Sequence, residues 1–161
     1  MRMAKSTHTP EPEVRIKLES FIGKATVAID AAGRTNFPKD FRKVLRDEAD
    51  GQVVVTIGEG KTLALFPLYA WNEYVQYLEN LGRGADVSKH RTRITSMAKL
   101  SVLDAQNRIS LTAEQMAYAG IAGEVTFVGD GKRVRLWAPA KYADQIEIVT
   151  AEEEKQFENW F

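Results

Sequence analysis

One pattern occurs twice in this chain. Ile29-Asp30-Ala31-Ala32-Gly33-Arg34-Thr35-Asn36-Phe37-Pro38 returns 74 residues later (Ile29 to Leu103) as Leu103-Asp104-Ala105-Gln106-Asn107-Arg108-Ile109-Ser110-Leu111-Thr112. Each copy sets an Asp and an Arg four apart, between two short runs of alternating apolar residues. Asp in the first position and Gly in the fourth fit a type I turn whose last residue is left-handed. The carboxylate can accept hydrogen bonds from the turn's own amides, and Gly takes positive φ without steric cost. Asn107 stands where the first copy has Gly33, and Asn is the side chain that best tolerates that region. Arg34 and Arg108 then fall just past each bend, at the start of the returning strand.

The flanks repeat as well. Phe21, Gly23, Ala25, Val27 and Ile29 alternate with more polar residues, which predicts a half-buried strand ending at Asp30. Pro38 suits the first turn of a helix, with Phe41, Val44 and Leu45 on one face through about Arg46. In the second copy, Thr112 and Gln115 have capping-box spacing, and Gly120 is placed to stop the helix. Hairpins are expected at Gln52–Ile57 with Thr62–Phe66 about Gly58-Glu59-Gly60, and at Glu124–Val128 with Val134–Trp137 about Gly129-Asp130-Gly131. Here the offset is 71 (Gly58 to Gly129, Phe66 to Trp137, Trp71 to Tyr142). Phe66, Trp71, Trp137 and Tyr142 recur at equivalent places and read as core. Trp71, Tyr74, Val75, Leu78 and Leu81 have helical spacing, and Tyr142 and Ile146 mark a shorter successor.

The fold class is therefore mainly β with short helices, in two tandem units, 21–82 and 100–148. A basic helical connector spans 83–99, with its helix around Val87 to Ala98. A flexible polar arm, 1–20, precedes the units, and an acidic and aromatic tail, 149–161, follows them. Phe157, Trp160 and Phe161 have helical spacing in that tail, and either pack on their own domain or dock on a neighbouring subunit.

Composition narrows the chemistry. With no Cys and only His8 and His90, thiolate or histidine metal sites and histidine-based nucleophilic catalysis have almost nothing to work with. No acid–base pair or phosphate loop stands out, so neither an enzyme nor a cofactor is expected. His90, among Lys89, Arg91 and Arg93, reads as a surface residue. No apolar run approaches the roughly 18 residues of a membrane span. The first twenty residues lack a signal-peptide core, and the expected location is cytoplasmic. Net charge is zero, yet Arg83 to Arg108 carries six cations against two anions, and Asp144 to Phe161 six acids against Lys155. A neutral total thus leaves room for a basic face.

IDAAGRTNFPKDFRKVL, VVVTIG, LALFPLYAW and LDAQNRISL together closely resemble the MraZ family of bacterial regulators, from about Phe21 to about Ile146. The resemblance implies tandem swapped-hairpin units of the AbrB type around a double-split β-barrel-like core. It also implies a cytoplasmic, nucleoid-associated transcription factor, usually a repressor of the division and cell-wall gene cluster. Such proteins form rings, here expected to hold eight or more subunits, that bind direct repeats in double-stranded promoter DNA. The family's DNA-contacting turns correspond to Asp30 and Arg34, and to Asp104 and Arg108. The second unit departs from the family pattern: Asn107 replaces the usual Gly, Thr112 the usual Pro, and Gln115-Met116 an apolar-Arg pair. Arg34 is accordingly the expected leader.

Arginine's planar fork suits a bidentate contact to guanine or a clamp on phosphate. The aspartates cap the turns or orient the arginines, because a carboxylate near phosphates is repelled. Lys24, Lys39, Arg42 and Lys43 are candidate phosphate contacts. On a purely structural view, each Asp-Arg pair only closes its own hairpin. The alternative function is an AbrB-like, antitoxin-type interaction module with DNA binding secondary. Modules of that kind usually put a binding tail after a single unit, whereas two units fill this chain.

Overall fold

The computed structural model describes residues 18–45 and 49–158. In the first unit, β1 (Lys24–Ala28) and β2 (Arg34–Asn36) flank the first turn. They are followed by α1 (Lys39–Arg42), β3 (Gln52–Gly58), β4 (Thr62–Pro67) and α2 (Leu68–Asn80). Next comes α3 (Ala85–Ser96). The second unit contains β5 (Lys99–Val102), β6 (Arg108–Ser110), α4 (Ala113–Ala119), β7 (Glu124–Asp130), β8 (Arg133–Trp137) and α5 (Pro139–Tyr142). One π turn, Ala143–Glu147, continues α5, and α6 (Ala151–Phe157) begins at a capping box of Thr150 and Glu153.

Strand order carries the repeat into three dimensions. Six strands form one antiparallel sheet, β1-β7-β8-β4-β3-β5, and β2 and β6 form a separate ribbon. The hairpin of each unit is thus extended by the first strand of the other, β1 on β7 and β5 on β3. Two pairs join equivalent residues: Thr35 faces Ile109 in the ribbon, 74 apart, and Ala64 faces Arg135 at the sheet centre, 71 apart. A pseudo-two-fold axis therefore passes through both. The antiparallel strands and short helices are present as expected, but the expected barrel is not closed among the described residues. β1 and β5 are sheet edges, and the ribbon meets the end of β1 through a bridge, Ile29 with Thr35, and through Thr35 Oγ1, which donates to Ala28 O at 2.9 Å.

The core lies between ribbon and sheet. Phe37 is 6.1 Å from both Phe41 and Phe127, centroid to centroid, and Phe21 meets Phe41 edge-on at 6.0 Å. Val53, Val55, Leu63, Leu65, Ile109, Val125 and Leu136 fill the space around them. β3 and β4 are buried on both faces, which accounts for the unbroken apolar run Val53-Val54-Val55 where alternation would mark a half-exposed strand. On the second face, Phe66 stacks on Tyr74 at 5.4 Å and meets Trp71 edge-on at 5.9 Å. Trp137 and Tyr142 repeat the edge contact at 5.7 Å. Phe66 and Trp137 are core as expected, while Trp71 and Tyr142 are only half-buried.

Two local expectations are corrected. The second hairpin turns at Gly131-Lys132, because Gly129 and Asp130 still pair with Val134 and Arg133. Gly129 is a strand residue with a reason to be glycine: a Cβ there would lie 2.5 Å from the Phe21 backbone. In the tail, α6 is exposed throughout, and Phe157, 53% exposed, packs on no core; Trp160 and Phe161 lie outside the described residues. Most of the arm, 1–17, also lies outside them. The chain joins the described fold at Phe21, whose N–H donates to Gly131 O at 2.7 Å.

Candidate nucleic-acid interface

Both turns close in the same way. Gly33 N–H donates to Asp30 O at 3.0 Å and Asp30 N–H to Arg34 O at 3.1 Å; Asn107 to Asp104 and Asp104 to Arg108 repeat this at 2.9 and 3.2 Å. Gly33 and Asn107 have φ of +84° and +59°. Each carboxylate then divides its oxygens. Asp30 Oδ1 accepts from Arg34 N at 2.8 Å while Oδ2 accepts from Arg34 Nε at 3.0 Å. Asp104 treats Arg108 identically, at 2.9 and 2.8 Å. The arginine backbone amides, ahead of the guanidinium groups, hold both carboxyls below their ordinary value of 3.8. Only Nε is engaged, so among the described residues the terminal Nη fork of each arginine has no partner. Each arginine is thus held at Nε and open at Nη.

The ribbon carries both arginines on one face. In its register Arg34 faces Ser110 and Asn36 faces Arg108, and residues directly opposite point to the same side. Thr35 and Ile109 point the other way and are buried. The outward face is therefore Arg34, Asn36, Arg108 and Ser110, with the two arginine backbones roughly 7–8 Å apart on the diagonal. Asn36 and Ser110 are absent from the sequence-derived site. Period-two alternation about Thr35 and Ile109 is the signal that could have found them.

The other candidates separate. Lys39 and Lys43 are exposed and Arg42 half-buried, all on or just after α1. Lys24 lies at the far end of β1, roughly 20 Å from the turn at strand rise. There it contacts Glu147 Oε1 at 3.3 Å and sits over the Tyr142 ring. Lys24 is not brought to the ribbon. His90 is exposed and meets Tyr74 OH through Nε2 at 3.0 Å.

Gln115, which the sequence assigns only to a helix cap, supports the site from beneath. Thr112 Oγ1 accepts from Gln115 N–H at 3.0 Å, and Gln115 Oε1 accepts from Thr112 N–H at 3.0 Å. Fully buried, its Nε2 also donates to Val55 O and Met97 O, both at 2.9 Å. It thereby ties the start of α4 to the hairpin of the first unit. Just ahead, Leu111 N–H donates to Gly33 O at 2.7 Å, so close that a Cβ on Gly33 would lie 2.1 Å from Leu111 O.

Among the described residues no helix is long and apolar enough to cross a membrane, and no group of three or more His, Asp or Glu is placed to hold a metal. A family model described as "MraZ protein, putative antitoxin-like" matches residues 20–93 and again 94–160. A Transcriptional regulator MraZ of Thermomicrobium roseum is 35% identical over 133 residues, covering 82% of this chain and 91% of that protein. One from Coxiella burnetii is 34% identical over 135 residues, covering 83% and 89%, and one from Tolumonas auensis 30% over 127, covering 78% and 84%. With two tandem matches along nearly its whole length, the chain belongs to the MraZ family.

Proposed function

We propose that the protein is a DNA-binding transcriptional regulator whose β2–β6 ribbon enters the major groove. The single observation that carries this reading is the outward face Arg34, Asn36, Arg108 and Ser110 on a ribbon rigidly backed by Thr35 and Ile109. A B-DNA major groove, about 12 Å wide, admits a two-stranded ribbon, and Arg and Asn are the side chains that pair bidentately with guanine and adenine edges. Asp30 and Asp104 orient the arginines and do not touch phosphate. The similar proteins are named transcriptional regulators, which supports the same reading.

The finer reading is a repressor, cytoplasmic and nucleoid-associated, acting on the division and cell-wall gene cluster. It binds promoter direct repeats as a ring of eight or more copies of two units, 21–82 and 100–148, joined by 83–99. A gel shift with the DNA upstream of the protein's own gene tests the core of it. Arg34→Ala should weaken binding by about 1–3 kcal/mol and relax base preference, with the folded mass unchanged. Binding unchanged in that variant sinks the assignment. A monomeric mass in light scattering at micromolar concentration refutes the ring.

A further inference from the structure

We infer that the strand exchange makes the two arginine turns electrostatically unequal, and that the Arg108 turn, with the helix of the other unit beside it, is the phosphate-anchoring end of the ribbon. The inference rests on the DNA-binding reading and ranks the two turns within it. It also reverses the order suggested by reading each unit alone, in which Arg34 leads because its own unit keeps the basic helix.

The exchange fixes which helix stands beside which turn. β2 runs from Arg34 to Asn36, which pairs with Arg108, and Phe37 N–H then donates to Asn107 O at 2.9 Å. Pro38 and α1 follow directly, so Lys39 lies two residues beyond a contact with the second turn, within roughly 7.6 Å of Phe37 along the backbone. The pseudo-symmetric path takes β6 to Ser110, opposite Arg34, then through Leu111 N–H to Gly33 O at 2.7 Å, and into α4. Each turn therefore borrows the helix of the other unit.

The borrowed helices differ. Over equivalent positions, Lys39-Asp40-Phe41-Arg42-Lys43 carries three cations and one acid, net +2, while Ala113-Glu114-Gln115-Met116-Ala117 carries only Glu114, net −1. Each turn is itself neutral, one Asp against one Arg. The second turn with its helix thus totals +2 and the first totals −1, a difference of three charges at two ends of one short ribbon. Lys39 begins this run within about one physiological Debye length, ~8 Å, of Phe37, whose N–H meets the second turn, so the helix charges start close enough to act on the phosphates beside it. The exposed cations Lys39 and Lys43 can follow the DNA backbone where Arg108 enters the groove; Glu114 opposes such contact beside Arg34.

The test is fluorescence anisotropy across 50–200 mM salt, on a duplex from the protein's own promoter region and on a scrambled duplex of equal length. Lys39→Gln/Lys43→Gln, both at exposed positions, should lower the salt slope by about 1–2 on both duplexes, as expected for about one lost counterion per phosphate contact. The loss from this pair should be much smaller in an Arg108→Ala background and full-sized in an Arg34→Ala background. Glu114→Lys, on the opposite unit, should tighten binding severalfold and steepen the slope by about 1. An unchanged slope in the lysine pair, or coupling of that pair to Arg34 in place of Arg108, overturns the inference while leaving the ribbon in the groove. Binding unchanged in both Arg34→Ala and Arg108→Ala overturns the DNA-binding reading itself.

Discussion

Replacing Gln115 with Met removes the buried amide while keeping most of its volume, so little cavity term enters. Three things are lost: donation to Val55 O, donation to Met97 O, and the side-chain half of the α4 capping box. An unsatisfied buried polar group costs about 1–3 kcal/mol. Thr112 Oγ1 still caps the helix, so losing the Gln115 half of the box costs toward the low end of the about 0.5–2 kcal/mol of a whole cap. Val55 is fully buried, whereas Met97 is half-buried and regains water in part, so the sum lands at about 2–4 kcal/mol. For a chain of this size that is roughly 4–16 °C in Tm. The assay is urea unfolding at one fixed protein concentration, since self-association would shift the midpoint. Gln115→Ala should be worse by the cavity it opens, and the exposed neighbour Glu114→Ala should stay within about 0.5 kcal/mol. The variant also loosens α4, which sits against the first turn through Leu111 and Gly33, so the contribution of Arg34 to DNA binding should fall while that of Arg108 holds. A Gln115→Met protein with a wild-type midpoint refutes the claim that this amide joins the units.

Further outcomes follow from the turns and the tail. Gly33→Ala should destabilise by about 2–4 kcal/mol, through positive φ and the clash with Leu111 O, while Asn107→Gly should stay within about 1 kcal/mol; thermal melts followed by circular dichroism read both. Both turn aspartates have folded pKa values below 3.8. The unfolded chain therefore binds more protons than the native one in that acid window, and stability should fall there as pH drops. Urea midpoints should show no contribution from this pair to pH dependence between pH 5 and neutrality, and Asp30→Asn/Asp104→Asn should flatten the acid limb below the ordinary carboxylate value. Thr150→Ala breaks the capping box of α6, which packs on no core, so hydrogen exchange should quicken over 151–157 with the global urea midpoint unchanged.

Much of the secondary structure is legible because its causes are short-range. The type I turns need only Asp, a left-handed position and the amides between them. The start and stop of α4 need only Thr112, Gln115 and Gly120, and each hairpin carries its turn within a few residues. Errors appear where a distant segment decides the outcome. Gly129 looks like a turn residue until the backbone at Phe21 is laid across it, more than a hundred residues away in sequence. Tyr142 and Trp71 share apolar spacing with core residues, yet nothing in that spacing says that they sit at a rim. Phe157 likewise has a helix to stand on but no surface beneath it.

The candidate site divides along the same line, and the pseudo-two-fold axis explains why. Arg34 and Arg108 could be found because Asp, turn and Arg form one local unit. Their company could not, because β2 delivers its helix to the turn of the other unit and β6 does the same in return. Reading by unit groups Lys39, Arg42 and Lys43 with Arg34; reading by space groups them with Arg108. The departures Thr112 and Gln115, which look like erosion of the second unit, belong spatially to the support of the first turn: Thr112 caps the helix beside it, and Gln115 ties that helix to the hairpin of the first unit. Under strand exchange, a substitution in one unit changes the environment of the arginine in the other. Divergence between the units is thus a way to make the two ends of one ribbon differ while the ribbon itself stays symmetric.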